Sequence, residues 1–267
     1  VNAQYNYDHV NVTTRVNVTN AFPEILQMYV EDPITLNAGG FQTVYCNASI
    51  RDWNGFNDVL SVNATFYYYL NESWHQDDMN EHYTNTSCSE VENDGSFLSN
   101  YSCSFQVAYF AYNGSWHCNV SVIDNNNFVD SDNVSTTINA LYALNVTDVI
   151  DYGNLSVMDY SDNITATITN FGNSDINVSV LGYGLVLGDG VGLVCSQGNN
   201  ISVENQRFYN NLVEWSLKTP LAASSQDMNI TLLRQVDDLV PVTRDTFWQL
   251  FVPPNPFGVC TGTVRFT

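Results

Sequence analysis

The 267-residue chain carries 28 acidic side chains but only 7 Lys and Arg, a formal net charge of −21 at pH 7. A surface so poor in bases has no means of displacing counterions from nucleic acid or of adhering to anionic lipid, and neither is expected as a partner. No apolar run approaches the roughly 20 residues that cross a bilayer, and the chain opens on Val1 instead of a Met and a hydrophobic segment. It therefore reads as a mature, already processed extracellular chain with no membrane span of its own.

In chain order, nearly every periodic segment has period two, the signature of strands with one solvated face. From Val10 to Thr19, the residues Val10, Val12, Thr14, Val16 and Val18 share a face; Pro23, which cannot donate to a ladder, then breaks the pattern. Residues 1–24 are thus set apart as an N-terminal strand. The segment Thr43–Ile50 turns Val44, Cys46, Ala48 and Ile50 inward, and Leu60–Leu70 is expected to do the same with Leu60, Val62, Ala64, Phe66, Tyr68 and Leu70. Tyr67 and Tyr69 then face out, where exposed rings suit an interface. Trp116, Cys118, Val120 and Val122 form a further inward row, as do Ile164, Ala166 and Ile168. Turns rich in Asn, Asp and Gly fall at Asp52–Asp58, Glu92–Ser96, Asp124–Asn127 and Asn170–Asp175, and longer loops are expected over Gln197–Thr231. No dozen-residue segment shows helical spacing. A boundary near Asn139–Leu144, without Pro or Gly, divides the rest into domains 25–140 and 141–267 joined by a short, stiff link. The fold expected is all-β, two sandwiches in tandem after the N-terminal strand extension.

Sixteen N-x-S/T sequons begin at Asn11, Asn17, Asn47, Asn63, Asn71, Asn85, Asn100, Asn113, Asn119, Asn133, Asn145, Asn154, Asn163, Asn177, Asn200 and Asn229. With 35 Asn and 43 Ser plus Thr, chance placement supplies about a third of that number under the acceptor rule. Within the strands the sequon asparagines take outward positions, so N-linked glycans are expected to coat the sheets. Six cysteines, Cys46, Cys88, Cys103, Cys118, Cys195 and Cys260, lack C-x-x-C spacing and a partnering His cluster. They point to disulfides in an oxidising compartment and away from zinc, with fifteen pairings open in principle.

Cys46, then Trp53, then Trp116-His117-Cys118 resembles the Cys, Trp, Cys order of an immunoglobulin-type sandwich. Ile164–Val180, with its Asn-x-Gly-Asn turn, and Phe247–Thr267, a Trp-bearing strand ending in a Pro/Gly turn, resemble strands of the same module. The chain as a whole resembles the secreted, sequon-rich surface and filament proteins of archaea. The resemblance implies two tandem immunoglobulin-like β-sandwich domains, a Cys46–Cys118 bridge packed against Trp53, a local Cys88–Cys103 pair, and Cys195–Cys260 by remainder. It brings no catalytic residues.

Other chemistry is thin. His75 and His82 flank Asp77, Asp78 and Glu81, and Asp124, Asp130 and Asp132 enclose Asn125–Asn127, but neither set has the spacing of a metal loop. No metal ligand and no cofactor beyond glycans is therefore assigned, with calcium at the Asp124 group as the alternative. The glycine-rich run Gly182–Gly192 lacks a following helix and reads as strand and turn, not a phosphate cradle. No nucleophile elbow or paired-carboxylate motif marks an enzyme. The function expected is a structural subunit of an extracellular glycosylated filament or surface layer. Its copies would polymerise head to tail by strand donation, with Val10, Val12, Thr14, Val16 and Val18 as the subunit contact and the chain itself as partner. The alternative is a monomeric adhesin or carbohydrate-binding module that takes surface glycans.

Overall fold

A computed structural model describes residues 11–71, 74–236 and 240–267 and is all-β. The first eight strands are β1 (Glu24–Val30), β2 (Phe41–Arg51), β3 (Val59–Tyr68), β4 (His82–Asn85), β5 (Ser89–Asn93), β6 (Leu98–Ala108), β7 (Gly114–Asp124) and β8 (Val129–Ile138). They form two antiparallel sheets, β1-β2-β6-β5 and β4-β3-β7-β8, whose facing sides share one core. Alternation dictates this arrangement: Val44, Cys46, Ala48 and Ile50 are buried from one sheet, and Trp116, Cys118, Val120 and Val122 from the other. Turn chemistry closes the hairpins. Asp94 Oδ1 accepts from the amides of Ser96, Phe97 and Leu98 beside left-handed Gly95, and Asp124 Oδ1 accepts from Asn126 and Phe128.

The remaining strands are β9 (Leu144–Val146), β10 (Ile164–Asn170), β11 (Ile176–Tyr183), β12 (Val191–Gly198), β13 (Ile201–Ser202), β14 (Gln206–Tyr209), β15 (Thr219–Pro220), β16 (Gln226–Leu232), β17 (Thr243–Leu250), β18 (Pro256–Thr261) and β19 (Thr263–Phe266). They form the sheets β15-β14-β17-β10-β9, β16-β11-β19 and β13-β12-β18 around a second core built on Trp248, Phe208 and Ile168. Every strand ladder lies within residues 24–138 or within 144–266, and residues 139–143 pass between the two sandwiches.

Three disulfides staple the fold. Cys46–Cys118 joins β2 to β7 across the first sandwich, Cys88–Cys103 ties the residue before β5 to β6, and Cys195–Cys260 links the paired strands β12 and β18. The tryptophan beside the inter-sheet bridge is Trp116, fully buried and stacked on Phe66 at 4.8 Å, with its indole N–H donating to Tyr112 O. Trp53 is instead 57% exposed, on the β2–β3 turn, with the Arg51 guanidinium 4.7 Å over its ring.

Several expectations give way to geometry. Leu60 and Leu70 are exposed: a register shift between Val59 and Ser61 turns the first outward, and β3 ends at Tyr68 before the second. Tyr67 is half-buried, its ring between those of His82 and His117. The stretch 197–231 holds short strands where loops are expected. Residues 11–23 are in no strand, although their sequence alternates like one. Val10 lies outside the described residues.

The turn Asn170-Phe171-Gly172-Asn173 fastens the second sandwich to the first. Asn173 accepts from Leu141 N at 2.7 Å and donates to Asn139 O at 3.1 Å, while Asn113 of the first domain donates to Asn173 O at 3.2 Å. Gly39 N donates to Phe171 O, Tyr109 meets Phe171 edge-on, and the Arg234 guanidinium lies 4.0 Å over the Tyr112 ring. Gly172 is required there, because a Cβ would sit 2.0 Å from Leu141 O.

Candidate assembly surface

Two features stand at opposite ends of the chain. Along residues 11–19, Val12, Val16 and Val18 are 81%, 80% and 86% exposed, and Thr14 is exposed beside them. None of residues 11–19 enters a backbone ladder among the described residues. Three exposed valines at even-numbered positions of one short segment are apolar surface that burial would stabilise and water does not.

Among the described residues, the side-chain contacts that hold the segment are at its root. Asn20 donates to Asp124 Oδ2 at 2.6 Å, Ala21 N donates to Asn54 Oδ1 at 2.7 Å, and Phe22 stacks on Phe128 at 4.2 Å. The root therefore leaves the first sandwich at the end formed by the β2–β3 and β7–β8 turns.

In the second sandwich a groove of about 1410 Å³ runs between the segment 144–157 on one side and β18 with β19 on the other. Its walls include Val149, Leu155, Leu250, Val252, Phe257 and Phe266. It lies at a seam between sheets. β9 ends one sheet after three residues, and β19 ends another beside β11, so among the described residues one side of each strand has no ladder partner. Val149, Phe257 and Val259 are exposed at its rim. Gln206, buried at the groove, has a side-chain nitrogen with no acceptor, and its Oε1 accepts from Tyr152 at 3.2 Å. Burial drives the Tyr152 phenol above its ordinary range.

The sequon asparagines share one property: none of the sixteen is buried. The buried asparagines, Asn80, Asn170 and Asn173, are not sequons, and each hydrogen-bonds backbone inside the fold. Asn63, Asn71, Asn85, Asn100 and Asn119 are half-buried, and the others are exposed.

The acidic and histidine candidates are rearranged. Asp130 accepts from Ile25 N and Asp132 from Asn133 N, so neither joins Asp124. Asp124 instead meets Asp52 and Asp58, with one carboxylate oxygen from each within 4.8 Å of the others. Burial first, then the charges of Asp58 and Asp124, raises the Asp52 carboxyl above its usual range, against the pull of the Asn54 amide. His82 is buried against Asp77 at 3.0 Å, and His75 stacks on Trp74. The glycine-rich run closes on its own anion: Asp189 accepts from the amides of Gly184, Leu185, Val186 and Val191, so those donors are already engaged.

No family model matches the sequence, and no curated protein matches it. Among solved structures it is similar to the CsuC–CsuE chaperone–tip adhesion subunit complex from the archaic chaperone-usher pili of Acinetobacter baumannii. That match is 11% identical over 90% of this chain and 99% of the other, with a TM-score of 0.44. A chaperone–tip adhesin complex of CFA/I fimbriae matches at 8% identity over 88% and 77% of the two chains, TM-score 0.33. A carbohydrate-binding module of the β-sandwich superfamily matches at 11% over 93% and 96%, TM-score 0.28. At these scores the likenesses assign neither a family nor an activity to the chain.

Proposed function

We propose that the chain is a structural subunit of an extracellular, N-glycosylated assembly. In it the segment 10–18 of one copy lies in the second-domain groove of the next. The observation that carries this reading is the pairing of an unpartnered strand-patterned segment with an open sandwich seam in the same chain. Nine residues extend over about 30 Å at strand rise, and the groove is lined along residues 256–266 on one side.

Energetics favour strand addition over simple apolar contact. Burying Val12, Val16 and Val18 supplies about 5 to 9 kcal/mol at roughly 1.5 to 3 each. Association alone costs about 4 to 15 kcal/mol. The net therefore depends on main-chain hydrogen bonds along the free sides of β19 and β9, the mode in which a peptide completes a sheet. A donor and an acceptor on different parts of one chain make a heterologous contact, which propagates as a filament where the rotation does not close. The disulfides support an oxidising, extracellular setting, and exposed sequons over both sandwiches support a glycan coat.

The test is negative-stain imaging of the intact chain beside one lacking residues 1–20. Filaments or sheets that vanish on deletion are expected. Monodisperse particles of monomer size from the intact chain would overturn the reading in favour of a monomeric adhesin.

A further inference from the structure

We infer that Asp52, Asp58 and Asp124 form a calcium site that fixes the root of the N-terminal segment. Asp52 follows β2, Asp58 precedes β3 and Asp124 ends β7; the antiparallel pairing of Val59 with Asp124 brings the two loops together. Asp52 and Asp124 are both 0% exposed. Asp52 and Asp58 each use one oxygen inside the fold, Asp52 Oδ1 accepting from Asn54 N and Asp58 Oδ1 from the Asn125 side chain, while Asp124 uses both, Oδ1 accepting from two turn amides and Oδ2 from Asn20.

The second oxygens carry the inference. Asp52 Oδ2 and Asp58 Oδ2 are shut off from solvent and have no hydrogen-bond partner. Buried polar atoms are satisfied as a rule, and an unpaired buried carboxylate oxygen is among the costliest exceptions. Here two acids that each carry an orphan oxygen meet a third acid, with one carboxylate oxygen of each within 4.8 Å of the others. Among the described residues the ion pairs are Arg51–Glu24 and His82–Asp77, and neither neutralises the group.

A hard divalent cation resolves both the missing partners and the repulsion. Magnesium is usually held by one or two carboxylates and keeps most of its water, whereas calcium takes about six to eight oxygen ligands drawn largely from the protein. Three carboxylates with oxygens inside 4.8 Å of one another are the donor set of the larger ion. Its remaining ligands would be water and loop carbonyls. Asn20 already holds Asp124 Oδ2, and Ala21 holds Asn54 of the same loop. Ordering these loops therefore orders the point from which the extension departs.

The experiment is thermal unfolding of the full chain in calcium chloride and in chelator, with Asp58→Asn beside it. Terbium luminescence is read on the wild type as a second measure. Calcium is expected to raise the unfolding transition by about 5 to 10 °C at saturating concentration, and to displace bound terbium. Asp58→Asn should lose that increment and, in chelator, melt above the wild type, because one of three repelling charges is gone. If the variant fails to fold, terbium displacement on the wild type decides alone. An unchanged wild-type transition with no calcium-displaceable terbium would overturn the site and leave an ordered water or a shared proton as the partner of the orphan oxygens. Neither readout requires assembly, so a failure of polymerisation leaves this result standing.

Discussion

Asn173 holds Leu141 by accepting its backbone N–H at 2.7 Å, and by this bond a turn of the second sandwich grips the segment leaving the first. Asn173 is fully buried, so its removal strands the Leu141 amide and the Asn139 carbonyl without partners. Asn173→Ala is expected to cost about 2 to 4 kcal/mol at one to two per lost partner. Calorimetry should show one coupled transition separating into two. Gly172→Ala should do the same by a different route, since its Cβ meets a backbone oxygen that cannot move without opening the joint. A single unsplit transition in both variants would show that the sandwiches are coupled elsewhere.

Removing the inter-sheet bridge as Cys46→Ala with Cys118→Ala should destabilise the first domain more than removing Cys88 and Cys103. The separations are 72 and 15 residues, which correspond to about 4.4 and about 3 kcal/mol of loop-closure entropy. Chemical denaturation of each double variant measures the difference. Equal losses would mean that the unfolded chain stays compact around the longer loop.

Much of this was legible because each strand presents one solvated face. The inward rows of β2 and β7 follow from alternation alone, and the outward sequons agree with them. Leu60 was misplaced because a bulge shifts register by one residue and leaves no mark in composition. Trp53 and Trp116 are both near cysteines in sequence. Only strand pairing, which sets Trp116 opposite Tyr68 within the core, separates the buried ring from the exposed one. The acidic cluster was half visible: Asp124 stood out, but its partners come from a turn some seventy residues away. The groove could not be read at all, since its walls, 144–157 and 256–266, lie about a hundred residues apart in the chain and only the fold brings them together.

Glycan occupancy should follow the geometry of the amide nitrogen. Asn11, Asn17, Asn154 and Asn163 are exposed. Asn85 donates to Ser104 O at 3.0 Å, and Asn113 donates to both Asn173 O and Ser174 Oγ. A sugar on nitrogen leaves one N–H where Asn113 uses two bonds. Glycopeptide mass spectrometry of the secreted protein is expected to find Asn11, Asn17, Asn154 and Asn163 fuller than Asn85 and Asn113. Full occupancy at Asn113 would mean that glycosylation precedes formation of the domain joint.

The Asp189 loop should survive acid. The Val186 amide, with those of Leu185, Val191 and Gly184, holds its carboxyl at about 2 against the opposing effect of desolvation. A depressed folded value means that the contribution is present above the ordinary carboxylate range and is lost as pH falls through about 2. Amide exchange of Leu185 and Val186 should therefore stay protected at pH 3 and open in Asp189→Asn at every pH. A protection midpoint near 4 would show that the amides do not hold the charge.

Strand donation makes a directional prediction that generic stickiness does not. Val16→Asp places a charge on the face that enters the groove, whereas Arg15→Asp places one on the opposite face; period two predicts that the first abolishes assembly and the second spares it. The Val16→Asp copy keeps its own groove, so it still accepts a wild-type segment but cannot donate. Mixed into wild type at a few per cent, it should shorten filaments in proportion to its share. Val259→Asp, at the exposed rim of the groove, should be the complementary terminator, able to donate but not accept. Together the two single variants retain one working donor and one working acceptor. Sedimentation of their equimolar mixture should give dimers and nothing longer. Polymers from that mixture would mean that the contact is not head to tail, and monomers alone would mean that segment and groove are not each other's partner.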